Sequence, residues 1–83
     1  MTQIEKLQKR FLSKPKDFTW NELCKLLSSK GFELMKGGGS RRKFVHDGTE
    51  KTIISLHKPH PGSIVKRYAL EDVETTLREK GLL

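Results

Sequence analysis

Two short stretches of this sequence combine residue types that can act on a polyanion. The first, Gly37-Gly38-Gly39-Ser40-Arg41-Arg42-Lys43-Phe44, joins three glycines and a hydroxyl to three consecutive cations. Glycines let a phosphate backbone approach closely, and their amides together with the Ser40 hydroxyl can donate to phosphate oxygens. Arg41 and Arg42 add planar forks that match phosphate geometry. The order is not that of a P-loop, which needs Gly-x-x-x-x-Gly-Lys-Ser/Thr, so nucleotide hydrolysis is disfavoured. The competing reading is a glycine-rich hairpin turn bordered by exposed charge.

The second stretch is His57-Lys58-Pro59-His60, followed by Pro61 and Gly62. Two imidazoles on a proline-stiffened loop can supply a general base and a general acid, and Lys58 can clamp a phosphate. A structural role for the pair stays open beside catalysis. A zinc site is disfavoured, because the chain has three histidines and one cysteine and no carboxylate neighbours the pair. His46, near a hairpin turn, reads as solvated. Trp20 could stack on a base, but its spacing assigns it to the core.

Charge singles out the same region. The formal net charge is +7, and residues 36–67 hold six of it: Lys36, Arg41, Arg42, Lys43, Lys51, Lys58, Lys66 and Arg67 stand against Asp47 and Glu50. A polyanion is drawn to the middle of the chain and not to its ends. No apolar run approaches the roughly 20 residues that cross a bilayer, and Met1-Thr-Gln-Ile-Glu-Lys6 lacks the apolar centre of a secretion signal. A lone cysteine, Cys24, in an apolar-periodic stretch reads as a small buried hydrophobe in a reduced, cytoplasmic protein.

The elements that must position these residues follow from periodicity. With 83 residues the chain supports one modest core. Ile4, Leu7 and Phe11 share one face of a first helix over residues 2–12, which Ser13-Lys14-Pro15 ends. Thr19 and Glu22 have the spacing of a capping box, flanked by Phe18 and Leu23 as a hydrophobic staple. Trp20, Leu23, Leu26 and Leu27 then form a buried stripe that Gly31 closes. The period changes to two at Phe32, which with Leu34 marks a first strand.

Residues 41–46 make a second strand, with Arg42, Phe44 and His46 on one face and Arg41, Lys43 and Val45 on the other. Asp47-Gly48-Thr49 turns the chain into a third strand over 51–57. The spacing predicts a last helix over 69–80, with Leu70, Val73 and Leu77 inward. Glu71, Asp72 and Glu74 lie near its start and Gly81 at its end. That acidic opening argues against a DNA-recognition helix. The layout is an α+β sandwich with the helices on one face of a three-stranded antiparallel sheet, 16–83 forming the domain and 1–15 a helical extension.

Trp20-x-Glu22-Leu23-x-x-Leu26-Leu27, Lys30-Gly31-Phe32, Gly39-Ser40-Arg41-Arg42-Lys43-Phe44 and Pro59-His60-Pro61-Gly62 occur in that order, ahead of Leu70-x-x-Val73 and Gly81-Leu82. This series resembles the HicA toxins of bacterial toxin–antitoxin pairs over roughly residues 19–83. The resemblance implies an α-β-β-β-α fold like a double-stranded-RNA-binding domain, here with an extra N-terminal helix. It also implies a metal-independent endoribonuclease (an mRNA interferase) that cleaves messenger RNA without a cofactor and is silenced by a HicB-like antitoxin.

The family usually carries its catalytic histidine in a Gly-Ser-His motif, and this sequence has Arg41 there. Either His57 or His60 takes over the proton transfer, or the chain is a non-catalytic RNA-binding module of the same fold. The residues expected to hold RNA are Lys36, Gly39, Ser40, Arg41, Arg42, Lys43 and Lys58. Those expected to carry catalysis are His60 and His57.

Overall fold

A computed structural model of the chain describes residues 3–48, 51–59 and 62–83. Two helices, α1 (Gln3–Leu12) and α2 (Trp20–Ser29), precede strands β1 (Phe32–Lys36), β2 (Arg41–Asp47) and β3 (Lys51–His57), and α3 (Arg67–Glu79) closes the chain. The strands form one antiparallel sheet in the order β1-β2-β3. This is the α+β architecture that the sequence implies, α-β-β-β-α behind an added first helix. Thr2, Thr49, His60 and Pro61, which enter the sequence readings, lie outside the described residues.

The start of α2 is set by local chemistry. Thr19 Oγ1 accepts from the Glu22 amide at 3.2 Å, and Glu22 Oε1 accepts from the Thr19 amide at 3.0 Å. The capping box thereby satisfies donors that a helix start leaves unpaired. Phe18 and Leu23, the staple pair, are both fully buried. At the other end of the chain α3 finishes in a Schellman motif: Gly81, at φ +70°, donates to the Arg78 carbonyl, and the Leu82 amide reaches the Leu77 carbonyl at 2.8 Å.

One face of the sheet carries the core. The register places Phe44 opposite Leu34 on β1 and Ile54 on β3, and Phe32 opposite His46. Phe32, Phe44 and Ile54 pack against Trp20, Leu23, Leu26 and Leu27 of α2 and Leu70, Val73 and Leu77 of α3. The Trp20 ring lies 5.5 Å from that of Phe44, so it is a core residue, as its spacing implies. Met35 and Ile53, on the opposite face, are about half exposed. The helices therefore cover one face and leave the other open.

α1 is tied into this core. Phe11 is fully buried and meets Phe18 edge to face at 5.9 Å. Arg10 donates to Glu22 at 2.7 Å and pairs with Asp17 at 2.9 Å, linking α1 to the cap of α2. Lys14, at the left-handed φ of 52°, is paired with Glu74 of α3 and lies over the Phe11 ring.

The structure corrects several sequence readings. Leu34, on the same face as Phe32, is 42% exposed on the edge strand β1 and so is not part of the buried core. Cys24 is half-buried at the margin of the core, and burial raises its thiol pKa, partly offset by the charge of Lys58. His46 is half-buried and not simply solvated, since its ring stands edge-on to Phe32 at 5.1 Å. α3 begins at Arg67, two residues earlier than its apolar stripe indicates, so no acid lies in its first turn. Beyond that turn its exposed residues include Glu71, Asp72 and Glu79, so the helix is not basic along its length.

Candidate functional site

The β1–β2 connection is a tight turn. Gly37 donates to the Arg41 carbonyl at 3.0 Å, and Arg41 donates back to Gly38 at 3.1 Å. Gly39 takes φ +59°, a conformation that side chains with a Cβ adopt at a cost. A Cβ at Gly37 would stand 3.1 Å from that of Arg41. The glycines thus fold the turn closely enough to set Ser40 beside the exit of β3. There the Lys58 amide donates to the Ser40 carbonyl at 2.8 Å.

This junction places the two motifs side by side. Arg41 and His57 are cross-strand partners, and Ser40 Oγ lies 3.3 Å from His57 Nδ1, a long contact between two exposed side chains. The hydroxyl, the imidazole and the Lys58 ammonium open onto a cleft of about 540 Å³ whose far side is formed by Ile64, Val65, Lys66, Tyr68 and Ala69. Its volume is within the range of clefts that hold small ligands or parts of larger ones, roughly 300–1,000 Å³.

The far side is held by a short strap. Val65 donates to the Phe18 carbonyl at 2.8 Å, and Trp20 donates to Ser63 at 2.7 Å, around an antiparallel bridge between Thr19 and Ile64. The capping region of α2 therefore anchors both its own helix and the approach to α3.

The basic stretch does not form one surface. Pleating sends Arg41 and Lys43 to the open face with His57 and Ser55, while Arg42 falls on the Phe44 side. There Arg42 Nη1 donates to the carbonyls of Gly39 and Arg41 at 2.9 and 2.8 Å, so this arginine braces the turn. With Lys58 it also lines a smaller recess against Gly39, Ser40, Pro59 and Gly62. Lys36, at the end of β1, is exposed and opposite Arg42 in register.

Among the described residues, no salt bridge joins Lys36, Arg41, Lys43, Lys58 or Lys66 to a carboxylate, and no three His, Cys, Asp or Glu side chains converge as metal ligands would. His60, the second candidate for catalysis, lies outside the described residues. Ile64 and Tyr68 were not singled out from the sequence, and Lys66 entered only as part of the central excess of charge. The signal was available for Tyr68, an aromatic just before the Leu70-Val73-Leu77 stripe and off its spacing.

Fold and site together define a small α+β domain with a cation-rich cleft that has a hydroxyl and an imidazole at one end and no carboxylate among its described lining residues. The family model of the HicA toxin of bacterial toxin–antitoxin systems matches residues 20–82, and the chain belongs to this family. The match starts at the first residue of α2 and leaves α1 outside it. No curated protein and no solved structure matches the chain significantly.

Proposed function

We propose that this HicA-family protein is a metal-independent endoribonuclease that cleaves messenger RNA and is neutralised by an antitoxin protein. The observation that carries the reading is the pairing of His57 with Arg41. It sets an imidazole directly across from the position where the family usually has its catalytic histidine, 3.3 Å from Ser40 and at the mouth of the cleft.

In this reading the RNA supplies its own nucleophile. His57 takes the proton of a ribose 2′-hydroxyl, whose oxygen attacks the adjacent phosphorus. A 2′-oxygen–phosphorus bond forms as the bond to the 5′-oxygen breaks, and the leaving oxygen takes a proton from solvent or from a second acid such as His60. Arg41 and Lys58 stabilise the charge that grows on the phosphoryl oxygens. Ser40, through Nδ1, orients the ring so that Nε2 faces the substrate.

The test is incubation of pure protein with single-stranded RNA in excess chelator, with the product ends identified. Cleavage to 2′,3′-cyclic phosphate and 5′-hydroxyl ends is expected, while DNA of the same sequence binds and survives. Intact RNA would remove the nuclease reading. The second reading, an RNA-binding module without cleavage, draws on Arg41 itself, which adds a phosphate fork where the family carries the imidazole. It requires salt-dependent RNA retention with no products. The antitoxin would occupy the same cation-rich surface, so a bound partner that leaves cleavage unchanged contradicts that part of the proposal.

A further inference from the structure

We propose that Tyr68 is a base-stacking platform, on which an unpaired base of single-stranded RNA lies while the neighbouring phosphates meet Lys58 and Lys66. The inference rests on the RNA reading above and adds to it a residue and a substrate form.

Tyr68 is 66% exposed, more than any other large hydrophobic side chain of the described residues. It is not a misplaced core residue, since the buried stripe of α3 runs through Leu70, Val73 and Leu77. Yet it stands on a fixed base, because its neighbours Ala69 and Leu70 are buried and lock the first turn of the helix. A ring held on a rigid element loses little freedom when a ligand covers it.

The surroundings decide which ligand. Ile64, 45% exposed, is a second apolar wall of the same cleft. Lys58 and Lys66 border these apolar side chains, and no carboxylate is among the described lining residues. Aromatic rings interleaved with cations that track a backbone are the means by which proteins hold single strands, whose bases are free to stack. Duplex RNA offers no free base face. A protein partner could cover the ring too, but the cations around it and the opening toward Ser40 and His57 match a phosphate backbone better.

The test is binding of an uncleavable 2′-fluoro RNA strand that carries the fluorescent base 2-aminopurine at successive positions. Wild-type protein is expected to quench the probe at one or two positions, and Tyr68→Phe to bind within about twofold of it. Tyr68→Ala and Tyr68→Leu should bind roughly tenfold to a hundredfold more weakly and lose the quench, the fold-change expected of one stacked base. Their salt dependence should stay that of wild type, because no phosphate contact is lost.

Equal affinity and quenching in wild type and Tyr68→Leu would overturn the stacking proposal while leaving the RNA reading intact. Loss of affinity for a cognate protein but not for RNA would make Tyr68 a protein anchor instead. Failure of wild-type protein to bind any RNA would overturn both readings together.

Discussion

The corner where α1, α2 and α3 meet and the cleft beside β3 use positive charge in opposite ways. At the corner three cations have carboxylate partners: Arg10 is held by Asp17 and Glu22, and Lys14 and Arg78 both by Glu74. At the cleft Lys58 and Lys66, and on the adjoining open face of the sheet Arg41 and Lys43, have no such ion pair among the described residues. Paired cations lock elements together and are satisfied within the protein. Unpaired ones of the same sign on neighbouring strands and loops repel one another, and an external polyanion relieves that repulsion. The difference explains why a chain of net charge +7 concentrates its excess in one region.

Substitutions at the two regions should therefore separate activity from stability. The largest effect is expected from His57→Ala, which should slow RNA cleavage by about 10²- to 10⁴-fold, the usual contribution of a general base. Because His57 is exposed, its melting temperature should stay near that of wild type. A cleavage rate within a few fold of wild type would move the catalytic assignment to His60.

Next come Arg41→Ala and Lys58→Ala. Each should weaken RNA binding several-fold and reduce the salt slope by about 0.7 per lost phosphate contact on a single strand. Stability should change by no more than about 0.5 kcal/mol, as at other surface positions. Arg42→Ala should behave differently, with a measurable fall in melting temperature, because its guanidinium braces the turn carbonyls.

The corner predicts the reverse pattern. Thr19→Ala removes the cap of α2 and should cost about 1 kcal/mol, or roughly 4–8 °C in melting temperature for a domain of this size. RNA affinity measured well below that transition should be unchanged. An affinity loss would show that the strap beside Thr19 transmits to the cleft.

The smallest effect is one of pH. The Arg10 guanidinium, opposed by partial burial, lowers the pKa of Glu22 below its ordinary 4.5, and Lys14 and then Arg78 do the same for Glu74. The sign is that of a depressed carboxylate: the stabilisation is complete above the ordinary pKa and is lost as pH falls through the folded-state value. Melting temperature should hold steady down to about pH 5 and then decline. The Glu22→Gln curve should start lower and converge on wild type in acid. Parallel curves would mean that the Arg10–Glu22 pair contributes nothing measurable.

Much of this molecule was legible in its residue order because the signals are local. The Thr19–Glu22 box, the Phe18–Leu23 staple, the glycines that close α2 and α3 and the change of period at Phe32 each act within a few residues. They mark the elements and their inward faces without reference to contacts far along the chain. The same locality made the Gly37–Lys43 stretch and the His57–Lys58 pair visible as candidate chemistry.

Where they sit relative to one another was decided only in three dimensions. Strand register, not spacing, put His57 across from Arg41, whereas the separation of Arg41 from Arg42 follows from the alternation of a strand. The backbone bonds at Val65 and Trp20 brought Ile64 and Tyr68 across from Ser40 to make a cleft. Pairing between strands and straps depends on contacts far apart in the chain, and the sequence encodes them only through the packing of the whole core.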